Sequence, residues 1–155
     1  MRDARTTFLY DNLQEQLDCY RQLNDLEWDK QEALISNDNR RIDQIVSQEE
    51  LIIRTSSQLE ANRVQWAASF DPSETDIMNK CPEIICLREK LREKLAQLRE
   101  VNQINSQLIN SQLAYINFSV QSIAGDTKPM YGSPGTLNRA HRDGGVSRSF
   151  IDHNA

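Results

Sequence analysis

Glycine is missing from the first 124 residues of this chain: Gly125, Gly132, Gly135, Gly144 and Gly145, all five it has, fall in the last 31. Of the four prolines only Pro72 and Pro82 interrupt the glycine-free stretch, Pro129 and Pro134 lying beyond it. A fold of many short strands needs turn residues at frequent intervals, so this stretch excludes one and reads as helix broken at few points. Long apolar runs are absent too. None is longer than Ile84-Ile85-Cys86-Leu87, far short of the ~20 residues that cross a bilayer. Met1 to Arg5 lead into no apolar segment, so no secretory signal is expected and the chain is placed in the cytoplasm. Positive charge is short as well: 18 Lys and Arg against 23 Asp and Glu leave a net charge of -5, a poor match to a nucleic-acid backbone.

Catalytic chemistry has no foothold. His141 and His153 are the two histidines, and both fall in the glycine-containing tail, where nothing would hold them in geometry. A histidine phosphotransfer bundle needs a helical histidine, which this chain lacks. No phosphate-binding loop, nucleophile elbow or metal motif is present. Cys19, Cys81 and Cys86 have no zinc spacing and read as three free thiols on helices. No catalytic residue, metal or cofactor is therefore expected. The acidic pairs Glu49-Glu50 and Glu89/Glu93 read as solvated helix faces.

What is present is periodicity. Leu9, Leu13, Tyr20, Leu23 and Leu34 form a stripe interrupted by Gln16, Glu27 and Lys30. Ser36-Asn37-Asp38-Asn39 offers a turn and a helix cap. Ile42, Ile45, Glu49, Ile52, Ser56, Leu59, Arg63, Trp66 and Phe70 then follow a three-four spacing expected of a coiled-coil seam. Asp71-Pro72-Ser73 ends that segment, and a connector with room for one helical turn leads to Lys80. Pro82 suits the first position of a third helix, with Glu83 at its positive end. Along that helix Leu87, Leu91, Leu95, Leu98, Val101, Ile109, Leu113, Ile116, Val120 and Ile123 share a face at ~100° per residue. Its first half is charged. From Gln97 to Gln121 it carries nine Asn or Gln and only two charges, Arg99 and Glu100, and amides at Asn102, Asn105 and Gln112 can fix register.

The expected fold is all-α: an antiparallel three-helix coiled-coil bundle over residues 1–124, with helices near 3–36, 39–70 and 82–124. A flexible tail follows at 125–155, where Lys128, Arg139, Arg142 and Arg148 against Asp126, Asp143 and Asp152 sum to +1. The first two helices, each about 50 Å long, match as a hairpin, pairing Leu23 with Ile52 and Leu9 with Trp66. The third, about 65 Å, outruns them. An unaccompanied helix end should be polar, yet this one holds Tyr115, Ile116, Phe118, Val120 and Ile123. A second stripe, Ile104, Leu108, Tyr115 and Phe118, lies a quarter-turn or more from the main face. Such surplus apolar surface suits a partner helix laid in a groove. It equally suits a second copy of the chain, Asn105 and Gln112 then setting the register of a structural homodimer. A DNA-bound helical adaptor is opposed by the acidic balance.

Four segments resemble the FlgN family of flagellar export chaperones: Leu23-Asn24-Asp25-Leu26-Glu27 through Ala33-Leu34 to Asp38; Ile42, Ile45, Gln48-Glu49 and Leu51-Ile52 through Leu59 and Arg63; Asn102-Gln103-Ile104-Asn105, Gln107-Leu108-Ile109 and Leu113-Ala114-Tyr115; and Tyr131-Gly132-Ser133-Pro134-Gly135. Together they span roughly residues 8–136. Gln48-Glu49 stands where the family usually has Lys, and Ser106 where it often has Gly. The resemblance implies a small cytoplasmic chaperone without nucleotide hydrolysis. Its partners would be hook-associated proteins of the hook–filament junction, bound through the C-terminal part, and the flagellar export apparatus. Partner-binding residues are then expected at Ile104, Leu108, Tyr115, Ile116, Phe118, Val120, Ile123 and Tyr131, on a monomer or weak dimer with no membrane insertion.

Overall fold

The computed structural model describes residues 3–124; the tail expected at 125–155 lies outside them. Four helices and no strand form among the described residues: α1 (Ala4–Ile35), α2 (Asn39–Ala68), α3 (Pro72–Asn79) and α4 (Pro82–Ala124). The protein is all-α. None of these helices is long and apolar enough to cross a membrane.

The turn between α1 and α2 is made without glycine. Asn37 takes the left-handed conformation with φ 56°, which asparagine tolerates better than other side chains. Its N–H donates to Leu34 O at 3.3 Å, and that of Asp38 to Ala33 O at 2.9 Å, the paired closure of a Schellman end. Asp38 then caps α2, Oδ1 accepting from Arg41 N at 3.1 Å. A three-residue link of this kind folds α2 straight back along α1. Asn12 Nδ2 donates to Leu59 O at 2.9 Å, Gln16 Nε2 to Glu60 Oε2 at 3.3 Å, and Lys30 Nζ lies 2.8 Å from Glu49 Oε1. The pairing is antiparallel.

Two features differ from the expected three-helix coiled coil. The connector after α2 is an eight-residue helix, α3. Pro72 occupies its first turn, the Glu74 carboxylate accepts from Asp71 N at 3.4 Å, and Met78 is buried in the core. The three long helices are also unequal partners. α1 lies against both α2 and α4, whereas α2 and α4 touch each other far less. Leu9, Leu13, Leu17, Tyr20 and Leu23 of α1 pack with Ile84, Leu87, Leu91, Leu95 and Leu98 of α4. On α2 only Ile45, Glu49 and Ser56 are buried, and Ile42, Ile52, Leu59 and Trp66 are half-buried, as is Phe70 just past its end. The cause lies in α1, which turns Asn12, Gln16 and Lys30 toward α2 and leucines toward α4. Burial of large apolar side chains contributes ~1.5–3 kcal/mol each, against ~1 kcal/mol net for a typical hydrogen bond. The α1–α4 seam therefore dominates.

The two ends of the bundle differ. At the end holding α3, Phe8 stacks on Trp66 with ring centroids 5.4 Å apart, and Trp66 meets Phe70 edge-on at 5.0 Å. Arg5 lies 5.1 Å over the Phe70 ring and bonds Glu74 at 3.1 Å. Phe8 rather than Leu9 thus faces Trp66, and this end is closed.

Toward the other end a buried polar layer ties the three long helices together. Asn105 Nδ2 donates to Glu27 O at 2.7 Å and to Glu27 Oε2 at 2.8 Å, and Lys30 Nζ reaches Glu27 Oε1 at 2.8 Å. Glu49 completes the layer, so two carboxylates share one ammonium. Burial pushes both carboxyls up. At Glu27, Lys30 together with hydrogen bonds from Glu49, Lys30 and Asn105 outweighs burial and holds the group below its ordinary value. At Glu49 burial prevails over Lys30, the Glu27 charge adds to it, and the carboxyl is pushed up to about 7. Lys30 is held above its ordinary value despite burial, by Glu27 and then Glu49.

Between pH 4.5 and about 7 the folded protein keeps a proton on Glu49 that the unfolded chain has released. The stability this group supplies is complete below pH 4.5 and is lost as pH rises to about 7. Glu49→Gln should remove a fall of about 3 kcal/mol over that window and leave the variant the more stable at pH 8, measured by urea unfolding across pH. Equal slopes would mean Glu49 is ionised in the fold. Asn105→Leu takes two bonds from Glu27 and should cost about 1–3 kcal/mol at neutral pH despite the added apolar bulk, read in the same titration.

Candidate functional site

α4 is aligned with α1 at two places, and the offset is the same at both. Asn105 meets Glu27, and Gln112 Nε2 donates to Leu34 O, each across 78 residues of sequence. The helices are parallel, and the end of α1 at Ile35 is level with Leu113. Residues 114–124 continue beyond it by about 16 Å, and none of them is buried.

One stripe of α4 passes from inside to outside along this length. Leu87, Leu91, Leu95, Leu98 and Val101 are buried, Ile109 and Leu113 half-buried, and Ile116, Val120 and Ile123 exposed, Ile123 at 87%. The side chains keep their period while their companions stop. The second stripe behaves alike: Ile104 and Leu108 are half-buried, Tyr115 and Phe118 exposed at 72% and 67%. Of the eight residues read from sequence as partner-binding, seven thus lie on α4, with five on the projecting end. Tyr131 lies outside the described residues. From Val101 to Ala124 there is no Asp, Glu, Lys or Arg, so the projection presents apolar groups separated by Asn, Gln and Ser.

That surface carries hydroxyl and amide groups and no charged side chain. No cluster of three or more His, Cys, Asp or Glu able to hold a metal occurs among the described residues. Cys19 is buried, Cys81 half-buried and Cys86 exposed, all three free. The projecting end can bind by burying apolar area, and its amides and hydroxyls can satisfy a partner's polar groups at the rim. Other exposed apolar residues, among them Leu51 and Val64 on α2 and Ile77 on α3, sit singly, as on most protein surfaces.

The sequence reading left out two residues of α1. Trp28 is 51% exposed and lies across a groove from Ile104, and Ile35, 67% exposed, falls on the same face of α1 two turns further on. Trp28, Asn24, Gln97, Glu100, Val101 and Ile104 enclose a groove of about 180 Å³. A signal for them existed. Trp28 and Ile35 are seven residues apart and lie off the stripe of Leu13, Tyr20 and Leu34, an apolar pair on a face with no assigned use.

Comparison with known proteins gives one match. A family model described as FlgN protein covers residues 1–139. No curated protein and no solved structure matches the chain.

Proposed function

The chain belongs to the FlgN family of flagellar export chaperones, and from that premise we propose that it binds hook-associated proteins of the hook–filament junction. In this reading it works in the cytoplasm, keeps those subunits unassembled and hands them to the flagellar type III export apparatus. The observation that carries it is the projecting end of α4, a charge-free helix with Tyr115, Ile116, Phe118, Val120 and Ile123 exposed.

The mechanism is competitive burial. A client subunit polymerises through amphipathic segments that must pair with those of its neighbours. A segment laid along Ile104, Leu108, Tyr115 and Phe118 has that face covered and is withheld from assembly. Five or six large side chains at ~1.5–3 kcal/mol each supply ~10 kcal/mol gross, from which ordering and association costs are subtracted. Affinities between micromolar and nanomolar follow. Such binding holds a subunit through transit and releases it at the export apparatus without nucleotide hydrolysis. Tyr131, in the tail element that resembles the family's, is proposed as a further contact.

Tyr115→Gln, Phe118→Gln and Ile123→Gln combined should abolish retention of purified hook-associated protein. Melting should stay within about 3 °C, because exposed positions contribute little to stability. Retention at unchanged affinity would overturn the reading. Sedimentation of the wild-type chain over a range of concentrations separates the rival. A tight dimer that the triple variant dissolves would make this end a homodimer seam.

A further inference from the structure

The groove between α1 and α4 lies directly below the projecting end and continues it. Trp28 and Ile35, two turns apart, share one face of α1. Ile104, Leu108, Tyr115 and Phe118 fall on the flank of α4 that borders the Trp28 groove. Ile104 lines that groove with Trp28, and its stripe runs on through Leu108 and Tyr115 to Phe118, with walls from two helices at Trp28 and from α4 alone beyond Leu113.

We propose that Trp28 and Ile35 are the second wall of the client site, and that its occupant is one amphipathic client helix carrying Lys or Arg at the end that lies in the groove. This rests on the export-chaperone reading and adds the orientation and chemistry of what binds. Length comes first. From Gln97 to Ile123 the surface extends about 40 Å, the span of a helix of roughly 25 residues. Charge comes next. Residues 101–124 offer no charge, whereas Glu100 lines the groove on α4 and Asp25 stands exposed on α1 beside Trp28. The cations nearby are engaged: Arg21 pairs with Asp18 at 3.3 Å, and Lys94 Nζ donates to the groove residue Gln97 at 3.1 Å. A cationic helix end at the groove and an uncharged length over the projection complement this pattern. The same stripe of a second copy would bring no cation to Asp25 and Glu100. Asn24 supplies the third observation. It lines the groove, is 7% exposed, and its Oδ1 has no hydrogen-bond partner. A donor from an entering side chain satisfies it after a small shift of the amide.

The test uses the full chain and purified hook-associated proteins. With Trp66→Phe, Trp28 is the one remaining tryptophan, and its emission should shift to the blue on binding. Trp28→Gln should weaken binding about tenfold or more, as large aromatic anchors do, with melting unchanged. Asp25→Lys with Glu100→Lys should weaken it about fivefold at low salt, with the difference shrinking as salt rises. Unshifted emission, or wild-type affinity for Trp28→Gln while the Tyr115/Phe118/Ile123 variant fails to bind, would remove the second wall and leave the chaperone reading intact. No binding of any hook-associated protein by the wild-type chain would overturn both. Should Trp28→Gln lower the melting temperature, Ile35→Gln at the exposed last residue of α1 carries the same test, and its binding at wild-type affinity would equally remove the wall.

Discussion

Asn105 holds α4 at one position along α1, and the rest of the molecule's shape follows from it. An apolar seam of leucines tolerates a slip of one helical turn, because one leucine layer resembles the next. A buried amide does not. Slipped by a turn, Asn105 would lose Glu27 O and Glu27 Oε2 and leave the Glu27 carboxylate without its donor from α4. Gln112 repeats the constraint at Leu34 O. These two contacts fix where α1 stops relative to α4, and so how much of α4 stands beyond it. The length of the projection is a consequence of polar bonding near its base, although the projection itself presents apolar area.

The placement of polar and apolar groups on α1 divides labour among its neighbours. Toward α4 it offers leucine, and the pair forms the core. Toward α2 it offers Asn12, Gln16 and Lys30, and α2 answers with Leu59 O, Glu60 and Glu49. Such an interface adds little net energy per bond, since water satisfies the same groups in the unfolded chain. It is specific instead, because misplacement strands buried polar atoms. The layer of Glu27, Lys30 and Glu49 is the extreme case. Its excess carboxylate is tolerated at mildly acidic pH because burial keeps a proton on Glu49 up to about pH 7, and a buried pair of this kind serves arrangement more than stability.

Much of this was legible in the chain. The missing glycine implied helices, and helices are what form. The α2 seam read from spacing, from Ile42 to Phe70, lies on its inner side, each of those positions buried or half-buried. What could not be read was the inequality of the partners. Periodicity gives the direction of a face and says nothing of which neighbour will meet it, so α2 looked like a third equal strand of a coiled coil. α3 escaped because eight residues give too few turns for a period to show. The half of the candidate site that rests on α4 was visible as surplus apolar length. The half on α1 was not, since a lone Trp28 gains meaning only when α4 comes to lie beside it. Charge coupling at Glu49 likewise depends on three helices meeting at one level.

An exposed apolar helix end invites aggregation unless something restrains it. Here the restraint is dilution. Between Val101 and Ala124 the apolar residues alternate with Asn, Gln and Ser, so the end stays hydrated while keeping two stripes available. Charged residues would have hydrated it better. They would also have had to be stripped of water under any partner, at a cost that amides and hydroxyls mostly avoid. In the proposed docking mode a neutral polar surround suits binding that must also be reversed, and the charges left to discriminate between guests are Asp25 and Glu100 at the base. The rigid lower half of α4 matters for the same reason. Held by α1 up to Leu113, α4 presents its last eleven residues as a continuation of a helix already anchored, which in the proposed docking mode lowers the ordering cost of binding.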